Sequence, residues 1–242
     1  MFMVAKGLRA LVPVPVKRTL RRTVAWIRIP QARLRLAFGV TPLNAPWVHR
    51  RGGLQVHRYY VEAFLGEFAA DIHGHCLEFQ DGHYATRFGG KQVTKLDILH
   101  KEAGNPRATL VADLTQPHAI PENLFECIIC THVLHVIRDV DRFVTALQRL
   151  LAPGGVLLLA VPHISPIYPR AHELWRFTPE GLAVVLAKVF PVAQITIRSY
   201  GNSLTASGDL RGLVAHEFAK RELQYADESF AVEVCARARK EC

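Results

Sequence analysis

Acidic residues are missing from the start of this chain: Lys and Arg recur from Lys6 to Arg51, and no Asp or Glu falls among them. That one-sided stretch accounts for the sign of the formal net charge, +9 over 242 residues. Long apolar runs are missing too. A membrane-spanning helix needs roughly 18 to 20 consecutive apolar residues, and the best candidate, "GGVLLLAVP", has only the length of a strand. The opening "MFMVAKGLRALVPVPVKRTLRR" is broken by Lys, Arg and Pro every few residues, which excludes the continuous apolar core of a secretory signal. The five cysteines are odd in number and show no compact spacing. A disulfide scaffold is therefore not expected, and the simplest compartment is a reducing, cytoplasmic one. With 50% hydrophobic and 21% charged residues, the composition excludes intrinsic disorder. The length suits one α/β domain with an appendage.

The domain division expected is a basic N-terminal extension, 1–50, followed by a globular domain, 51–242. The extension, "VKRTLRRTVAWIRIPQARLRLAFG", interleaves arginines with apolar residues. It suits peripheral contact with an anionic membrane, contact with a phosphate-bearing substrate, or simple packing on the body with its Arg stems over apolar surface. No nucleic-acid-binding motif accompanies it, so nucleic acid is not an expected partner. From Leu54 to Ile72, apolar residues recur at three and four, as on one face of a helix. The period then changes. "HCLEF", "QVTKLDI", "ATLVAD", "FECIICT" and "GGVLLLAVP" read as short buried strands bounded by turn residues. Between the last two, Phe143, Leu147, Leu150 and Leu151 make a helical stripe, giving a strand, helix, strand unit that requires a parallel sheet. "TPEGLAVVLAKVF" begins with a Thr cap and Pro at the first helical position. "AQITIRSY" and "SFAVEVCARA" alternate as edge strands do, with a partly helical insertion from Gly201 to Tyr225. The expected fold is α/β: a Rossmann-like, seven-stranded, mostly parallel sheet flanked by helices.

In open parallel sheets, ligands sit outside the carboxyl ends of the strands where the strand order reverses. Glu78, Asp97 and Asp113 are expected to end three consecutive strands there. Glu78 and Asp97 are 19 residues apart, close to the spacing at which a carboxylate takes ribose hydroxyls. A strand-end acid is also a common turn former, but three in matching places suggest a cofactor crevice.

The stretches "RYYVEAFLGEFAADIHGHCLEF", "RFGGKQVTKLDILH", "GNPRATLVADLT", "LFECIICTHVLHVIRDV", "LQRLLAPGGVLLLAVP" and "WRFTPEGLAVVLAKVFP" resemble a class I S-adenosylmethionine-dependent methyltransferase. They are most similar to a methyltransferase type 11-like subgroup found near or fused to glycosyltransferases in bacterial polysaccharide loci. The resemblance implies that S-adenosylmethionine is the cofactor and that Asp97 binds its ribose. It implies that Asp113 and Leu114 hold the adenine, and that Glu78 with the turn Gln80, Asp81 and Gly82 approaches the methionine part. Thr131 and His132 would border the sulfonium. The family commonly has Gly-x-Gly-x-Gly after the first acid; here Gln80 replaces the first glycine and only Gly82 falls near a second, so the motif is degenerate. The chain from Gly82 to Lys91 is also short for the usual crossover helix.

A sulfonium methyl is already electrophilic, so the protein has to align the attack, exclude water and accept a proton from an alcohol. His163, His172 and His135 are the candidate bases. Tyr168, Trp175 and Arg176 suit a carbohydrate or phosphorylated acceptor, aromatic faces covering sugar and Arg forking onto phosphate, or else form a lid packed on itself. Cys127 and Cys130, three apart in a strand, point to opposite faces, which favours core packing over a metal or disulfide. No metal is expected. The expected activity is methylation of a hydroxyl on a sugar, glycan or related small metabolite. A second reading is a methyltransferase-fold interaction module without transfer activity, serving a glycosyltransferase or a membrane-associated assembly.

Overall fold

The computed structural model describes residues 41–43, 52–168 and 172–241. The proposed extension 1–50 lies outside these apart from 41–43. Seven strands, β1 (Gly74–Phe79), β2 (Val93–His100), β3 (Leu110–Val111), β4 (Phe125–Thr131), β5 (Leu151–Pro162), β6 (Ile195–Tyr200) and β7 (Glu233–Arg239), form one sheet in the order β3-β2-β1-β4-β5-β7-β6. The pairs from β3 to β5 are parallel, and β7 runs antiparallel to both β5 and β6. The order reverses between β1 and β4, which places the ligand crevice of such a sheet over their carboxyl ends.

Side-chain alternation in the central strands builds a core on each face. Leu77, Ile128, Cys130, Leu157 and Leu159 meet α2 (Val140–Leu150) and α3 (Pro179–Leu186), whose Phe143, Leu147, Leu150, Leu182 and Leu186 are buried there. Cys76, Cys127, Ile129, Leu158 and Ala160 face the opposite way, onto Val61, Phe64 and Leu65 of α1 (Val56–Glu67). Cys127 and Cys130 thus lie on opposite faces, as a three-residue separation in a strand dictates. A third cluster joins Val56 and Tyr60 of α1 to Ala206 of α4 (Ser203–Leu210) and Leu223 of α5 (Lys220–Gln224).

The helix ends follow their sequence signals. Asp139 accepts from the amide of Arg142 before α2, and Thr178 accepts from that of Gly181, with Pro179 opening α3. β2 is the main departure. It runs on to His100, two residues past the expected end, so Asp97 lies in mid-strand opposite Leu77. β3 is only Leu110–Val111, and Asp113 follows it rather than ending it.

Candidate active site

Glu78 is the next-to-last residue of β1 and is 2% exposed. Its Oε1 accepts from the Tyr84 amide at 3.0 Å and its Oε2 from the Ala85 amide at 2.7 Å. Its carboxylate therefore organises the turn that follows. Burial pushes its pKa up to about 7, partly opposed by those two amides.

The turn itself has the backbone shape that a glycine-rich loop would have. Gln80 takes φ 79° and Gly82 φ 70°, both in the left-handed region that L side chains avoid. At Gly82 a Cβ would come within 2.9 Å of the tip of the Leu96 side chain, so a larger residue there adds backbone strain and displaces Leu96. Gln80 holds its conformation at a strain of about 1 to 3 kcal/mol. Phe79 turns into the core, its ring 6.0 Å from that of Phe143. In place of a long crossover helix, a π-helical turn (Ala85–Gly89) and a 3-10 turn (Gly90–Gln92) lead into β2. The loop after β2 folds back on the turn after β1. Asn105 Nδ2 donates to the Gln80 carbonyl at 2.6 Å, and Arg107 lies 3.8 Å from Asp81, which also accepts from the His83 amide.

Asp97 is not at the crevice edge. Its carboxylate takes His75 Nε2 and Thr109 Oγ1 at 2.7 Å each, with Lys95 at 3.4 Å. Desolvation raises its pKa, but Thr109, His75 and Lys95 together outweigh that and hold it below the usual carboxylate range. The expectation that it ends its strand fails because Ile98, Leu99 and His100 continue the parallel ladder beside Glu78 and Phe79. The carboxylate nearest the end of β2 is Glu102, which is exposed and two residues beyond His100. Sequence reading missed it because the strand seemed to stop at "LDI"; the apolar Leu99 was the available signal. Asp113 accepts from the amide and hydroxyl of Thr115 and pairs with Lys101 at 3.3 Å. Desolvation again works upward on its pKa, but these partners prevail and lower it. Leu114 is 4% exposed and belongs to the core.

Thr131 ends β4, and His132 follows it with φ 54°. His132 Nε2 is 3.0 Å from Oε1 of Glu233, the first residue of β7, which is fully buried. The His132 ring lies 5.1 Å from that of His57 in α1, and His57 Nδ1 is 3.3 Å from Asp209 in α4. His57, Asp209 and Glu233 went unmarked in the sequence, because α1, α4 and β7 meet only through tertiary packing.

The other sequence candidates are nearby but differently employed. His135 is buried, 3.4 Å from Glu173. Its pKa falls to about 4, chiefly through desolvation and then through its neighbour His132. His163 Nδ1 donates to the Phe177 carbonyl at 2.8 Å. His172 is exposed, with φ 49°. Trp175 Nε1 donates to the Ile137 carbonyl at 2.8 Å while the residue stays 44% exposed, and Tyr168 is likewise 44% exposed. The Arg176 guanidinium is held by Glu173 at 2.6 Å and by the carbonyls of Trp175, Ser165 and Pro166. It clasps its own loop instead of standing free for a phosphate.

A doubly wound sheet of this order, with a left-handed turn after β1 at its switch point, has the class I methyltransferase fold. Residues 79–159 match the family model described as a methyltransferase domain. Solved structures agree on the fold. A SAM-dependent methyltransferase from Archaeoglobus fulgidus aligns at TM-score 0.50 and 11% identity over 76% of this chain and 94% of its own. Phosphoethanolamine N-methyltransferase 2 of Haemonchus contortus aligns at 0.51 and 16% over 76% of this chain, which spans about half (53%) of that enzyme. A Thermotoga maritima SAM-dependent methyltransferase, described as a possible histamine N-methyltransferase, aligns at 0.51 and 13% over 77% of this chain and 92% of its own. At such identities the likeness is one of fold. A search of curated proteins returns no match. The match over residues 79–159 marks a methyltransferase domain within the chain, and the solved structures give it the fold of S-adenosylmethionine-dependent methyltransferases. For the S-adenosyl cofactor of that fold, the left-handed turn after β1 and Asp113 would be the contacts available, whereas Asp97 is already engaged by His75, Thr109 and Lys95.

Proposed function

We propose that the protein transfers a methyl group to a hydroxyl of a sugar, glycan or related polyhydroxylated metabolite. The observation that carries this reading is the Trp175 indole, pinned through its N–H to Ile137 while almost half exposed. Its backbone amide, donating to the His135 carbonyl at 3.0 Å, ties it to the turn after β4. A fixed aromatic face beside a histidine-bearing strand end suits the apolar face of a sugar, and a polyol supplies a hydroxyl to methylate. In this frame the backbone of Gln80–Gly82 lies along the methionine part, Asp113 takes the adenine edge, and Glu102 replaces Asp97 at the ribose. Thr131 and His132 border the sulfonium. Tritiated S-adenosylmethionine with a panel of methyl glycosides tests the acceptor class; label appearing only in non-carbohydrate acceptors would discard it.

A second reading, an interaction module without transfer activity, draws on one feature. The loop after β2 is hydrogen-bonded across the turn after β1 through Asn105 and Gln80, where the cofactor would lie. Calorimetry with S-adenosylhomocysteine separates the two readings, since the module binds none. Contact with anionic vesicles or a glycosyltransferase through residues 1–50 is a proposal of the same kind, tested by sedimentation with and without that segment. Among the described residues no helix is long and apolar enough to cross a membrane.

A further inference from the structure

Two costly features meet in one hydrogen bond at the end of β4. Glu233 is a carboxylate with 0% exposure at the start of a core strand, flanked by the fully buried Val232 and Val234. Its second oxygen, Oε2, is buried with no protein partner. A buried ionisable group left half-satisfied is expensive and calls for an explanation. Its one partner, His132, pays a further strain in a left-handed backbone conformation that a histidine rarely takes. Such strain collects where a side chain must be aimed.

The aim is specific. With the Glu233 carboxylate accepting from Nε2 of His132, the ring's lone pair is left at Nδ1. Among the described residues Nδ1 has no hydrogen-bond partner, and the side chain is 30% exposed, whereas Glu233 behind it is sealed from solvent. We propose that His132, oriented by Glu233 and packed against the His57–Asp209 pair, is the catalytic base that takes the proton of the methyl acceptor. This deepens the hydroxyl-methylation reading and rests on it. As the acceptor oxygen forms its bond to the methyl carbon, the sulfur–carbon bond breaks with its electron pair kept by sulfur, and the hydroxyl proton passes to Nδ1. The imidazolium so formed is stabilised by its hydrogen bond to the Glu233 carboxylate.

The surroundings suit the role. Facing His132 are His57 from α1, His135 from the turn after β4 and Glu233 from β7; Asp209 stands behind His57, and Glu173 with Arg176 behind His135. His135 stays neutral through the neutral range, so it adds no competing charge to a protonated His132. Of the sequence candidates, His135 is too buried to meet an acceptor and His172 lacks any orienting carboxylate among the described residues.

The test reads the accessible lone pair itself. Full-length protein without ligand is treated with diethyl pyrocarbonate, and each modified histidine is timed by peptide mass spectrometry. His132 is expected to react at least as fast as the exposed His172 and several-fold faster than His135, to slow about fivefold in Glu233→Gln, and to be shielded by S-adenosylhomocysteine. An unreactive His132, or one whose rate ignores Glu233→Gln, overturns the assignment. If near-ultraviolet circular dichroism shows that variant unfolded, the wild-type ranking against His172 and His135 decides alone. Protein in which His132 reacts as expected but S-adenosylhomocysteine neither binds nor protects would sink the methyl-transfer reading instead.

Discussion

Single residues carry the strain and the buried charge of this site, and each makes a measurable claim. Gln80 holds φ 79° without being glycine, so Gln80→Gly removes the left-handed penalty and returns part of it as chain entropy. The expected outcome is a gain of about 1 kcal/mol in urea unfolding, whereas Gly82→Ala, which drives a Cβ against Leu96, loses stability. Burial raises the Glu78 pKa from the ordinary 4.5 to about 7. Between those values the native state holds a proton that the unfolded chain has released, so stability falls as pH rises through the interval. About 3 kcal/mol is lost by the time pH passes 7, at 1.36 kcal/mol per pKa unit. Subtracting the same curve for Glu78→Gln isolates this effect from the lowered carboxylates Asp97 and Asp113, whose contributions run the other way, present at neutral pH and lost as it falls below the usual carboxylate range. Asp97 and Glu102 separate support from binding. Asp97→Ala lowers stability and leaves S-adenosylhomocysteine affinity within about threefold, while Glu102→Ala, losing hydrogen bonds to a charged acceptor, weakens it roughly 10- to 100-fold by calorimetry.

Elements show where sequence reading succeeds and where it stops. The central strands were legible because runs such as "HCLEF" and "FECIICT" are apolar on both faces, and α2 because Phe143, Leu147 and Leu150 make a clean helical stripe. The end of β2 was not legible: nothing local distinguishes a strand that stops at Asp97 from one that continues as Ile98, Leu99 and His100, and only pairing with Glu78 and Phe79 decides. The His57, Asp209 and Glu233 group was equally hidden, being assembled from segments up to 176 residues apart. The insertion that supplies Asp209 depends on Asn202. Its Oδ1 accepts from the amides of Leu204 and Thr205, and its Nδ2 donates to the carbonyls of Glu222 and Tyr225, so one side chain caps α4 and ties it to the end of α5. Asn202→Ala is expected to cost about 2 to 3 kcal/mol in chemical denaturation. Asn202→Asp keeps the cap but sets a carboxylate against two carbonyls, and should recover little of that loss.

At the scale of the whole molecule, one sheet must serve as both core and binding edge. The parallel strands from β3 to β5 place the crevice over the switch between β1 and β4, and antiparallel β7 returns the chain so that Glu233 enters beside Pro162 at the carboxyl end of β5. A ligand held along that edge contacts segments from Gln80 to His132 that separate on unfolding, so it binds the native state alone. S-adenosylhomocysteine at a hundred times its dissociation constant then stabilises the fold by about 2.7 kcal/mol. For a chain of this size each kcal/mol moves the melting midpoint by about 2 to 4 °C, which gives a rise of about 5 to 10 °C in a thermal scan. Glu102→Ala should need at least tenfold more ligand for the same rise, and Asp97→Ala should melt lower yet climb by as much as wild type. A midpoint that stays still for the wild-type protein at millimolar ligand means the loop from Lys101 to Thr109 keeps the nucleoside out.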